Sequence, residues 1–81
     1  MMALHDIVSP LPGTFYRRPS PDAAFYVAID TAVQAGAVIG LVEVMKQFTE
    51  VEAEVSGRVA ELLVEDGEPV DAGQVLMRIE E

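Results

Sequence analysis

Cysteine is absent from the 81 residues, and there is a single histidine. A disulfide framework, a Cys-ligated zinc and a thiolate nucleophile are therefore excluded. The lack of disulfides suits a reducing compartment. His5 lies near a terminus, and it is expected to be a solvated residue ahead of the first strand rather than part of a catalytic dyad or metal site. Basic residues are also scarce: five Lys and Arg face fourteen Asp and Glu, a formal net charge of −9. Nucleic acid and anionic membrane both require a basic face, so neither is expected as a partner. Such an acidic surface either serves solubility alone or steers the chain toward basic clefts on a partner.

Long apolar runs are missing too. The longest stretch without a polar side chain, Ala35 to Val42, is far shorter than the roughly 20 residues that span a bilayer. The opening Met1-Met2-Ala3-Leu4-His5-Asp6 lacks the basic region of a signal peptide. A cytoplasmic location is the resulting expectation. The length suits one small domain over residues 1–81. A chain this short buries only about 60% of the surface that its unfolded form exposes. It has no room for a substrate pocket, a second domain and a hinge, so no enzyme is expected; any part in catalysis is that of one component of a larger assembly.

What is present reads as short strands. Val and Ile are plentiful, and Gly and Pro punctuate at close intervals. Strands are predicted at Phe15-Tyr16, Val38 to Val44, Phe48 to Val55, Val59 to Val64 and Val75 to Ile79. Val51, Ala53 and Val55 alternate with Glu50, Glu52 and Glu54, the pattern of a half-buried strand. Asp30 to Gln34 has room for one helical turn and nothing longer.

An internal repeat organises these segments. Val33-Gln34-Ala35-Gly36-Ala37-Val38-Ile39-Gly40-Leu41-Val42-Glu43 matches Val70-Asp71-Ala72-Gly73-Gln74-Val75-Leu76-Met77-Arg78-Ile79-Glu80 at an offset of 37, with five of eleven positions identical. Each copy reads as a turn, supplied by the Gly, into a strand. A weaker match, Pro12-Gly13-Thr14-Phe15 with Ser56-Gly57-Arg58-Val59, has an offset of 44. The first half therefore holds seven extra residues between Gly13 and Val33, around the Pro-rich Arg17-Arg18-Pro19-Ser20-Pro21-Asp22-Ala23-Ala24. Two similar halves of short strands imply a pseudo-symmetric sandwich, since neither half buries its apolar face alone. A sharp reversal must fall at Met45-Lys46, which lacks the usual Asn-Gly or Asp-Gly signal. Turns that break the local rule are often functional positions, and the pattern alone does not say what the function is.

At this reversal the sequence resembles the biotinyl domain family, whose attachment motif is Glu-Ala-Met-Lys-Met; here it reads Glu43-Val44-Met45-Lys46-Gln47. Ser9-Pro10-Leu11-Pro12-Gly13-Thr14-Phe15-Tyr16-Arg17 is similar to the family's Ser-Pro-Met-Val-Gly-Thr-Phe-Tyr-Arg. Glu52-Ala53-Glu54-Val55-Ser56-Gly57-Arg58-Val59 is similar to its Glu-Ala-x-x-Ser-Gly-x-Val. The resemblance covers about Ile7 to Glu80. There are two departures, Val44 for the commoner Ala and Gln47 for the Met that usually follows the lysine; Phe48 is then expected to begin the return strand. Pro19-Ser20-Pro21-Asp22 resembles the thumb of carrier subunits of bacterial acetyl-CoA carboxylase, about residues 18–24. The plainer reading is a Pro-rich surface loop, with Arg17 and Arg18 solubilising its base.

The resemblance implies an all-β, flattened barrel-sandwich of two antiparallel four-stranded sheets with pseudo-twofold symmetry, a thumb insertion and an attachment hairpin over 43–48. It implies biotin covalently attached to Lys46, with Glu43, Val44, Met45 and Gln47 forming the hairpin and Pro19, Ser20, Pro21 and Asp22 the thumb that restrains the ring. The implied role is a carboxyl carrier between a biotin carboxylase and a carboxyltransferase acting on an acyl-CoA, acetyl-CoA by the thumb. Lysine amines are almost wholly protonated near pH 7, so a biotin protein ligase with adenylated biotin is a further implied partner. A lipoyl carrier, whose motif is typically Asp-Lys-Ala, and an unmodified barrel-sandwich adaptor are the alternatives.

Overall fold

A computed structural model describes residues 3–81. Met1 and Met2 lie outside the described residues, and with them the start of the expected domain and of the segment read as lacking a signal peptide. The short apolar segments form eight strands: β1 (Leu4–Val8), β2 (Gly13–Tyr16), β3 (Ala32–Val33), β4 (Val38–Val44), β5 (Gln47–Glu52), β6 (Gly57–Leu62), β7 (Glu68–Val70) and β8 (Val75–Glu80). Two four-stranded sheets result, ordered β1-β8-β6-β3 and β5-β4-β2-β7, with every pairing antiparallel. The molecule measures 41 × 27 × 19 Å, a flattened sandwich. Among the described residues there is no helix long and apolar enough to cross a membrane.

The sequence repeat is the symmetry of this sandwich. β4 and β8 hold the same place in opposite sheets, as do β1 and β5, β2 and β6, and β3 and β7. The registers correspond except at a bulge in β6 between Val59 and Glu61, which β2 lacks. Phe15 faces Val42 as Val59 faces Ile79, and Gly13 faces Val70 as Gly57 faces Val33. Gly13 and Gly57 are equivalent for a steric reason: a Cβ on Gly13 would collide with the Glu43 carbonyl, and one on Gly57 with the Glu80 carbonyl. Gly36 and Gly73 supply the two turns, at φ of 92° and 83°.

The core is filled from both sheets by Ile7, Phe15, Ile39, Val42, Val59, Leu76, Met77 and Ile79, each almost fully buried. Burying such a side chain contributes roughly 1.5–3 kcal/mol. The filling itself is not symmetric. A Cβ on Gly40 would strike the Phe15 ring. The equivalent pair in the other half is Val59 and Met77, both buried. One half thus packs large against small where the other packs two middle-sized side chains, as a close-packed interior requires.

Several sequence expectations need correction. Asp30 to Gln34 makes no helical turn: Asp30 adopts φ 73° and donates its N–H to the Val59 carbonyl at 2.8 Å, and Ala32–Val33 joins the sheet beside β6. The strand expected over Phe48 to Val55 runs from Gln47 to Glu52. The burial of Ala53 nevertheless continues the alternation, because its N–H donates to the Ala37 carbonyl at 2.8 Å. β6 stops at Leu62 rather than Val64. His5 sits inside β1, not ahead of it, with Nε2 3.6 Å from a Glu54 carboxylate oxygen. Pro69 lies within β7, which is an edge strand and tolerates the missing donor.

Candidate functional site

The β4–β5 ladder closes with Val44 opposite Gln47, leaving Met45 and Lys46 as a two-residue turn. Their φ angles, 50° and 67°, are both left-handed. A type I′ turn needs this conformation at both central positions and normally takes it from Asn-Gly. Here two residues with a Cβ accept it, at a cost of about 1 kcal/mol or more each. The rest of the hairpin supports the turn: Ile39, Leu41 and Val42 of β4 are buried, so the strand leading to the tip is fixed in the core. Met45 is 92% exposed, and Lys46 is exposed beside it. Lys46 is also the one lysine in the sequence, a signal that composition carried and motif reading passed over.

The connection from β2 to β3, residues 17–31, contains no strand. Its neck is closed by the Tyr26 N–H donating to the Arg17 carbonyl at 2.8 Å, and its tip turns through the Ala23 N–H donating to the Ser20 carbonyl at 3.1 Å. Arg17 and Arg18 do more than solubilise the base. Their guanidinium carbons lie 4.3 and 5.1 Å from the Phe25 ring centroid, a cation–π arrangement. Arg17 Nη2 also donates to the Val27 carbonyl at 3.2 Å.

Between this loop and the hairpin lies a groove of about 250 Å³. Arg18, Pro19, Ser20 and Pro21 line it on the loop side; Tyr16, Glu43 and Phe48 line it on the sheet side, and Asp66 borders it from the β6–β7 turn. Glu43 and Phe48 are cross-strand partners. The Tyr16 hydroxyl donates to Glu43 Oε1 at 3.0 Å, and its ring lies 6.3 Å from that of Phe48. The hydrogen bond to the Glu43 carboxylate, with desolvation and the nearby negative charge adding to it, raises the Tyr16 pKa above the ordinary tyrosine value.

The residues read from the motif are therefore divided. Glu43 joins Pro19, Ser20 and Pro21 in the groove. Val44, Met45 and Gln47 border a shallow surface shared with Leu11 and Thr49. Lys46 lines neither and stands at the apex, and Asp22 is exposed on the loop outside the groove lining. Gln47, not Phe48, begins the return strand, because a two-residue turn puts it in register with Val44. Motif reading missed Tyr16, Phe48 and Asp66, which only strand register and a distant turn bring to Glu43.

A family profile described as "Biotin-requiring enzyme" matches residues 5–79. The biotin carboxyl carrier protein of acetyl-CoA carboxylase from Nostoc sp. is 46% identical over 76 residues, which are 94% of this chain and 42% of that protein. The protein of the same name from Pseudomonas aeruginosa is 45% identical over 71 residues, 88% of this chain and 46% of that one. The chain thus spans somewhat less than half the length of these relatives. The crystal structure of Kluyveromyces lactis urea carboxylase superposes with a TM-score of 0.77 at 27% identity, over 95% of this chain and 6% of the larger one. With the profile running from β1 into β8 and the sandwich shared with a carboxylase, the chain belongs to the family of biotin-requiring enzymes.

Proposed function

We propose that the chain is a biotin carboxyl carrier domain of a biotin-dependent acyl-CoA carboxylase, acting on acetyl-CoA, with biotin amide-linked to Lys46. One observation carries the reading: the single lysine of the chain stands at the exposed apex of a left-handed turn, on a strand fixed in the core, beside a groove. When bound, biotin supplies a ring nitrogen that accepts a carboxyl group at one active site and gives it up at another.

The chain's own residues supply the tether and the rest position. The four-carbon stem of Lys46 extends the reach of the group, and tethering converts each delivery into an encounter at high effective concentration. Glu43, Val44, Met45 and Gln47 form the hairpin that a biotin protein ligase reads. Pro19, Ser20, Pro21 and Asp22 form the thumb. The groove lining fits a small bicyclic urea: Ser20 and Glu43 bring hydrogen-bonding groups and Phe48 an apolar face. The domain forms and breaks no bond to substrate itself; biotin carboxylase and carboxyltransferase are the catalytic partners. Neither nucleic acid nor membrane is a partner in this reading, and the setting is cytoplasmic, in keeping with the cysteine-free, acidic composition.

The test is transfer. The ligase-treated chain, incubated with biotin carboxylase, ATP and labelled bicarbonate, should take up label that acetyl-CoA and carboxyltransferase then remove. Lys46→Arg should take up none. A wild-type chain that carries biotin but accepts no label would refute the carrier role.

A further inference from the structure

The thumb is a loop without strands, yet the groove it helps to form has a definite shape, so something outside the loop must hold it. We propose that Asp66, on the turn between β6 and β7, is the positioning residue that fixes the thumb over the groove; this rests on the carrier reading above. Asp66 Oδ1 accepts the Arg17 backbone N–H at 2.7 Å, at the neck of the thumb. Its Oδ2 accepts the Arg18 Nε–H at 3.3 Å, within the groove lining. Among the described residues, the hydrogen bond that leads from the segment Arg18 to Phe25 to another part of the molecule ends on this carboxylate.

The anchor is itself anchored. Gly67 donates its N–H to the Phe15 carbonyl at 2.7 Å, tying the turn to β2. Within the turn, the Glu68 N–H donates to the Glu65 carbonyl at 3.2 Å and the Glu65 N–H to Glu68 Oε1 at 3.0 Å. By the pseudo-twofold, the β6–β7 turn is the short counterpart of the thumb, which joins β2 to β3. The domain uses its short copy to hold its long one. Both arginines then rest on Phe25 in the returning leg, so the carboxylate fixes the two legs together. Pro19 and Pro21 restrict the backbone beyond the neck, and a shift at the neck therefore moves the tip as a unit.

Hydrogen exchange on the unmodified chain tests this directly. Asp66→Ala removes both bonds. Asp66→Asn keeps an acceptor for the Arg17 N–H and loses the ion pair; Arg18→Ala keeps the Arg17 bond and loses the ion pair together with its own contact to Phe25. The Ala23 and Tyr26 amides should exchange at least about tenfold faster in Asp66→Ala, which loses two hydrogen bonds to a charged acceptor. They should change less in Asp66→Asn and Arg18→Ala, while the Val42 and Ile79 amides keep the wild-type rate. Unchanged thumb exchange in Asp66→Ala would overturn the proposal. So would acceleration spread evenly over all strands, which would make Asp66 a support of the fold as a whole. On the biotin-loaded chain, streptavidin should capture the group faster from Asp66→Ala than from wild type at equal loading; equal rates would contradict the positioning role. If Lys46 takes up no biotin at all, the carrier reading fails, and the exchange rates still decide whether Asp66 holds the loop.

Discussion

Lys46 owes its exposure to two backbone angles. Left-handed conformations at Met45 and Lys46 close the reversal in two residues and leave both side chains exposed. Lys46→Gly removes the Cβ that makes its angle costly and should stabilise the domain by about 1 kcal/mol. Lys46→Ala retains the Cβ and should not. Thermal denaturation of the two variants separates backbone strain from loss of the charge. Glu43 has a second measurable consequence, through Tyr16. The raised Tyr16 pKa means that the folded state holds the phenolic proton more tightly than the unfolded state does. The associated stability is therefore fully present below the unfolded tyrosine value of about 10. It is lost as pH rises through the higher folded value. An absorbance titration should show a late tyrosine transition that moves back toward the ordinary value in Glu43→Ala; a late transition that stays in place would sever the link between the two residues.

At the scale of elements, the proposed thumb should be separable from the sandwich. Replacing residues 18–24 with a short Gly-Ser turn leaves Phe25, the partly buried Tyr26 and the buried Val27 in place. A surface loop buries few apolar contacts, so the thermal midpoint should fall little while turnover with purified partner subunits drops and biotin loading stays intact. Loss of folding would place the loop in the core. The elements also show what the sequence disclosed. β4 and β8 were readable because repeated residues mark both their turns and their buried positions. β1, β3 and β7 were not: β3 and β7 are two and three residues long, too short for a period, and β1 buries Ile7 while leaving Leu4 and Val8 exposed. The apex was readable from a turn without turn residues and from its resemblance to a known motif. The groove was not, since Tyr16, Glu43, Phe48 and Asp66 meet only through register across β2, β4 and β5 and through the β6–β7 turn.

At the scale of the whole molecule, the pseudo-twofold makes a quantitative demand. Gly13→Ala and Gly57→Ala each push a methyl group into an equivalent backbone carbonyl, of Glu43 and of Glu80. The two should destabilise the domain by similar amounts, about 1–3 kcal/mol, as overpacking does. Denaturant unfolding of both checks this, and a large inequality would mean that the halves are alike in strand order but not in packing. The same symmetry sets the Met45-Lys46 turn apart. The β4–β5 hairpin and the approach of β8 to β1 are equivalent in strand position, yet only the former closes through a two-residue turn, and it carries the chain's single lysine.

The central claim is that this lysine holds the cofactor, and intact mass tests it most directly. After treatment with a biotin protein ligase, biotin and ATP, the wild-type chain should gain one biotinyl increment, located at Lys46 by fragmentation, and Lys46→Arg should gain none. An increment that persists on Lys46→Arg, or a folded wild-type chain that takes up no biotin, would contradict it.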